Sequence, residues 1–321
     1  MISRKLNVQK AISFQRPEYI PILFFNRDKD QSDLIMIDVV EHFGGEDKLT
    51  SEWGFVWEKH DETMGQPKEP LLSAGQSAES IRVPGLEKEE RFAFVRPTME
   101  RYGADRYYLA SLVLSGFTVM TFLKGFSETL MDLYTGEPEI SRLADKVFGF
   151  ESDIISSLKG RGFDGVAFFD DWGTQTNLII SPELFRTFFK PRYKAQFDLV
   201  HSLGMDVYFH CCGYILDIIP DLIETGVDVL NISQPNIFDI EELGRSFAGK
   251  VCFICPVSYQ TIGITGTRGE IFKEAHRLAE NLGTENGGFI GYVEEYHSIG
   301  MPEENYRACV DAFRDCSARR I

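Results

Sequence analysis

The residues best suited to chemistry stand close together at His210 and Cys212. They follow the apolar run 205–209 and precede Gly213, which frees the backbone to turn. Side chains two apart on an extended chain point the same way, so an imidazole nitrogen and a thiol sulfur would share one side while Cys211 takes the other. That donor pair suits Zn²⁺. The competing reading is a core histidine beside two small buried thiols, and the spacing alone leaves both open. A third ligand would decide between them. Cys255, ending the next strand but one, and Glu295, ending the last strand, are the candidates. Asp170 and Asp171 close another apolar run. Being adjacent they face different ways, and one could serve as a general acid or base, a substrate anchor or a further ligand. A loop cap is the alternative role for either.

These groups sit where strands end. Short apolar runs read as strands over residues 19–25, 107–113, 165–169, 205–209, 227–232, 251–254 and 288–293. Helical patterns lie between them, over about 137–159, 181–203, 240–247, 269–282 and 302–315. Ser181 and Pro182 supply an N-cap and first-turn signal. The runs are apolar throughout, as strands covered on both faces are. With one further early strand the count reaches about eight units, which predicts an α/β fold of the (β/α)₈ TIM-barrel type. One domain is expected over 1–321, with an irregular N-terminal portion at about 26–105. Barrel chemistry gathers at carboxyl strand ends. There Asn26, Trp172, Gln175, Asn231 and Gln234 are the candidate substrate contacts.

Bulk properties exclude some functions. The chain has 321 residues and a formal net charge of −16, which opposes nucleic-acid and anionic-membrane partners. No run of eighteen apolar residues occurs, so no membrane helix is expected. The N-terminus has no apolar signal region, and the location expected is cytoplasmic. Six cysteines in such a chain read as thiols or ligands rather than a disulfide framework.

The motifs also carry a family resemblance. Phe169-Asp-Asp-Trp-Gly-Thr-Gln175, Ile180-Ser-Pro-Glu-Leu-Phe185, His210-Cys-Cys-Gly213 and Ile219-Pro-Asp-Leu-Ile-Glu-Thr-Gly-Val-Asp-Val-Leu-Asn231 together resemble the uroporphyrinogen decarboxylase superfamily over roughly residues 100–310. The resemblance implies a TIM barrel and one of two activities. The decarboxylase itself carries an arginine-rich segment after its first strand, whereas Phe25-Asn26-Arg27-Asp28 offers one arginine. The other branch comprises corrinoid-dependent methyltransferases, including demethylases of methyl ethers, with His-x-Cys and a later cysteine as zinc ligands. His210 and Cys212 match the first two. The later cysteine would fall near Glu295, leaving Glu295, His297 or Cys255 to stand in. The resemblance thus implies methyl transfer between a small molecule and cobalamin, aided by Zn²⁺. The chain shows no cobalamin-binding Asp-x-His-x-x-Gly, so the cobalamin is expected on a separate corrinoid protein. A homodimer is a further expectation. The alternative activity is a decarboxylase working without a cofactor.

Overall fold

A computed structural model describes residues 2–41, 50–58, 65–72, 75–86 and 91–318. Ten strands occur among them: β1 (Ile22–Phe24), β2 (Leu34–Asp38), β3 (Trp57–Glu58), β4 (Gln66–Pro67), β5 (Tyr107–Ser111), β6 (Gly165–Phe169), β7 (Asp206–Cys211), β8 (Val229–Ile232), β9 (Cys252–Pro256) and β10 (Phe289–Val293). Eight of them form one parallel sheet in the order β1-β10-β9-β8-β7-β6-β5-β2, while β3 and β4 pair as a small antiparallel hairpin. With helices between the strands this is the (β/α)₈ barrel expected from the sequence. The strand β2 lies inside the stretch read as irregular, and it supplies the eighth stave. Parts of that stretch (42–49, 59–64, 73–74 and 87–90) lie outside the described residues.

The seam between β1 and β2 is built differently from the rest. Only a 3₁₀ turn, Lys29–Gln31, lies between the two strands. Side chains therefore replace part of the ladder. The Ile22 N–H donates to Asp33 Oδ2 at 2.8 Å, the Asp33 N–H to the Ile22 carbonyl at 2.9 Å, and the Phe24 N–H to Ser32 Oγ at 2.9 Å.

Alternation along each strand divides two apolar layers. Leu23, Leu34, Tyr107, Leu109, Ala167, Tyr208, Val229, Cys252, Ile254, Ile290 and Tyr292 fill the lumen. Their neighbours of opposite parity, such as Ile35, Val166, Phe209 and Phe253, meet the surrounding helices. The helix Arg4–Ile12, capped by Ser3, adds Val8, Ala11 and Ile12 to the lumen cluster and packs against it from the N-terminal segment.

Candidate metal centre

Parity decides what each strand end presents. On β7, Tyr208 belongs to the lumen cluster, so His210 and Cys212 continue inward while Cys211 joins the outer layer. On β6, Phe169 packs against the lumen cluster, and Asp171 follows it two residues on. The three meet at the mouth. One ligand-type atom each from Asp171, His210 and Cys212 lies within 4.8 Å of the others. His210 Nε2 stands 3.5 Å from Cys212 Sγ and 3.9 Å from Asp171 Oδ1.

A chain of hydrogen bonds fixes the imidazole. Asn231 Nδ2 donates to the Ile254 carbonyl at 2.8 Å, and that oxygen can only accept. Asn231 Oδ1 is thereby turned toward His210 Nδ1, 2.5 Å away. Nδ1 must carry the proton, so Nε2 faces Cys212 and Asp171 with its lone pair. The Cys212 thiol lies 3.3 Å from Ser233 Oγ, and the Cys212 N–H donates to Asp171 Oδ1 at 2.9 Å. Burial first, then the Asp171 carboxylate, pushes the thiol up to about 12, while Ser233 opposes the shift.

Two glycines make the approach of these loops possible. The Gly173 N–H donates to the Cys212 carbonyl at 3.2 Å, and the Tyr214 N–H to the Thr174 carbonyl at 2.7 Å. A Cβ on Gly213, where φ is +81°, would fall 2.0 Å from the Gly173 oxygen. One on Gly173 would fall 2.3 Å from the Tyr214 nitrogen. Nearby, Val113 holds a φ of +62°, a conformation unfavourable for a β-branched residue, directly after β5 at the mouth.

The other expected site residues have different places. Asp170 is fully buried on the outer parity of β6. It accepts the Phe117 and Thr118 N–H groups at 2.8 Å each and the Thr118 hydroxyl at 2.7 Å, with the Tyr193 hydroxyl as a further donor. It therefore anchors the start of the helix Gly116–Lys124 rather than facing the cluster. Burial raises its pKa to about 7 despite those donors. Trp172 is 0% exposed, stacked on Phe117 with centroids 4.7 Å apart, so it packs the outer layer and does not line the mouth. Gln175 is exposed in the turn beyond it. Gln234 Oε1 accepts the Gly213 N–H at 2.8 Å and holds the Cys212 loop. Asn26 is tied to the backbone of Glu295 through both its amide groups, at 2.9 Å each, and splices two strand-end loops together.

Parity places both expected third ligands away from the pair. Cys255 sits on β9 between the inward Ile254 and inward-parity Pro256, is 0% exposed, and joins the outer layer. Glu295 is one residue out of step with Tyr292, which points inward. The group that follows Tyr292 in step is Glu294. Its Oε2 accepts the hydroxyls of Tyr292 at 2.6 Å and Tyr296 at 2.8 Å. Burial raises its pKa, and His210 acts on it in the opposite direction. Neither Glu295 nor Cys255 belongs to the ligand group found among the described residues.

Strand alternation was also the signal for the groups left out of the sequence reading, Asp38, Ser111 and Ser233, and for choosing Glu294 over Glu295 at the end of the last strand. Tyr259, stacked on Tyr296 at 4.3 Å, comes from a loop and had no such signal. Aromatic rings floor the mouth. Phe169 lies 4.8 Å from the His210 ring and 6.5 Å from Phe25, which lies 5.8 Å from Tyr292. Two outer clefts, of about 550 and 380 Å³, are lined by groups such as His276 and Arg277 and by Arg4 and Asp33, away from the cluster. Among the described residues no helix is long and apolar enough to cross a membrane.

Known proteins agree with this architecture. A methyltransferase from Methanosarcina mazei superposes with a TM-score of 0.73 at 14% identity, covering 98% of this chain and 99% of that one. A D-psicose 3-epimerase (TM-score 0.41, 9% identity, 73% and 82% covered) and the IOLI protein with a binding zinc atom (0.42, 11%, 71% and 94%) are too distant in shape to carry an argument. No curated protein matches the sequence. The model of the uroporphyrinogen decarboxylase (URO-D) family matches residues 58–316, and the chain belongs to that family.

Proposed function

We propose that this protein is a methyltransferase that moves a methyl group between a small molecule and a corrinoid carried by a separate protein, with Zn²⁺ held by Asp171, His210 and Cys212. The observation that carries the reading is the cluster itself: a carboxylate oxygen, an imidazole lone pair and a sulfur within 4.8 Å of one another at a barrel mouth. This donor set fits Zn²⁺, and three protein ligands leave a position for substrate. The similarity to the Methanosarcina mazei methyltransferase supports the reaction class.

Bound there, Zn²⁺ would act as a Lewis acid on the substrate heteroatom, oxygen, sulfur or nitrogen, as its bond to the methyl group breaks. The chain's own groups prepare the place. Asn231 keeps the Nδ1 proton of His210 and so keeps Nε2 free. Ser233 offers its hydroxyl to the Cys212 sulfur. The thiol must lose its proton to become a ligand, so loading should release a proton. Phe169 excludes water from one face of the His210 ring. A decarboxylase acting on a polycarboxylate would need cations at the mouth, and the inward strand-end positions, Phe25, Asp38, Ser111, Asp171, His210, Cys212, Asn231, Ser233, Pro256 and Glu294, supply no lysine or arginine.

Elemental analysis of the purified chain tests the site. About one zinc per chain, lost in His210→Ala and Cys212→Ala, is expected. A spectral change of a corrinoid protein on mixing with the enzyme and a methyl donor tests the reaction. Metal-free protein with undiminished methyl transfer would overturn the metal assignment.

A further inference from the structure

The mouth combines two features that the metal cluster does not use. The first is a floor of rings. Phe25 and Phe169 are both partly exposed, with Tyr292 beside Phe25. The second is a pair of carboxylates without a cation. Asp38 ends β2 and Glu294 follows β10, and no lysine or arginine pairs with either among the described residues. Lys29, exposed on the loop before β2, acts on Asp38 from beyond ion-pair distance, and His210 acts on Glu294. Ser111 faces Asp38 across the β2–β5 pair, and Tyr292 and Tyr296 donate to Glu294 Oε2. Asp38 is open to water while protein surrounds it on several sides, as befits a group inside a concave mouth.

The order of the staves gives this arrangement its meaning. Strand β1 lies between β10 and β2, so Phe25 stands between Glu294 and Asp38. Two strand spacings put the carboxylate-bearing strands roughly 10 Å apart. A hard divalent ion needs oxygens converging at about 2–2.6 Å, which that separation does not favour. A bulky, weakly hydrated cation suits it, and aromatic faces attract such cations. One further group points to a ligand. The Tyr208 hydroxyl is buried in the lumen two residues before His210, has no hydrogen-bond partner among the described residues, and its ring lies 6.1 Å from Phe169. Its oxygen is available to the polarised C–H groups of such a cation.

We infer that the mouth receives a small methylated onium cation, a quaternary ammonium or tertiary sulfonium, seated on the Phe25 and Phe169 rings between Asp38 and Glu294. This rests on the methyl-transfer reading and names its donor. The balance of the step is simple. The C–N or C–S electron pair stays on the heteroatom, the methyl carbon accepts a pair from the reduced corrinoid nucleophile of the partner protein, and a neutral amine or sulfide leaves without needing a proton. With Asp171 and Cys212 ionised, a dication in the cluster is neutralised, so Asp38 and Glu294 set the sign of the mouth.

Calorimetric titration of the zinc-loaded full chain tests this. The probes are tetramethylammonium, trimethylsulfonium, choline and the uncharged carbon isostere of choline. One onium ion per chain is expected, with choline about tenfold tighter than its isostere. Phe25→Leu and Glu294→Gln should each weaken onium binding about fivefold with zinc content and circular dichroism unchanged. The two small ions decide between nitrogen and sulfur donors. Equal affinity for choline and its isostere, or onium affinity unmoved in both variants, overturns the proposal. So does displacement of the onium by millimolar Mg²⁺ in the wild type together with undiminished Mg²⁺ binding in Phe25→Leu, which assigns the carboxylates to a second metal. A parallel corrinoid assay separates the two readings. Methylation from a neutral ether without onium binding removes this inference and leaves the methyltransferase; onium binding with no corrinoid methylation from any donor removes the methyltransferase.

Discussion

Asn231 Oδ1 lies 2.5 Å from His210 Nδ1, and the amide that holds it there is itself committed to the Ile254 carbonyl. The orientation of a would-be metal ligand is thus set from the next strand. Asn231→Ala should weaken zinc binding by about 10–100-fold, the usual effect of losing an outer partner of a ligating histidine. Competition with a chromophoric chelator measures this. An unchanged affinity would show that the imidazole is oriented by something else.

Gly213 faces a different constraint. Its φ is +81°, and a Cβ there would overlap the Gly173 carbonyl. Gly213→Ala should cost about 2–4 kcal/mol of stability and lower metal occupancy together, because the same loop carries Cys212. Thermal unfolding with and without zinc reads both effects.

Cys255 and Cys212 should behave oppositely. Cys255 faces the helix layer, and burial raises its thiol pKa. Cys255→Ser should leave zinc stoichiometry unchanged, whereas Cys212→Ser should abolish it. Elemental analysis of the two variants distinguishes an inward from an outward thiol.

Glu151 should give the fold a pH dependence. Burial raises its pKa to about 8, opposed by donors from Gln196 and Gly116. Because the folded state holds the proton more tightly than the unfolded chain, the stabilisation is complete below the ordinary carboxyl value near 4.5 and is lost as pH rises through about 8. The melting temperature should therefore fall across that window, and Glu151→Gln should flatten the fall.

Trp172→Ala should cost about 3–5 kcal/mol through lost packing on Phe117 and Phe189, while zinc content per folded chain stays constant. Loss of metal with little loss of stability would instead place the indole at the site.

The sequence by itself determined the barrel and the pair at the end of β7. Apolar runs of strand length separated by helical periods admit few folds, and residues two apart on a strand share a side whatever surrounds them. It did not show β2, because Leu34–Asp38 follows a short 3₁₀ turn with no helix to mark a repeating unit. Only the tertiary structure decided between adjacent residues at the other strand ends. Asp170 and Asp171 are equally acidic in the sequence, as are Glu294 and Glu295, and a shift of one residue reverses the face. Register against neighbouring strands sends Asp170 to anchor a helix and brings Asp171 to His210 and Cys212. It likewise turns Glu294 into the mouth. Contacts between residues far apart in the chain, such as Gly173 with Gly213, have no signature in local spacing, since they arise only when two loops are brought together.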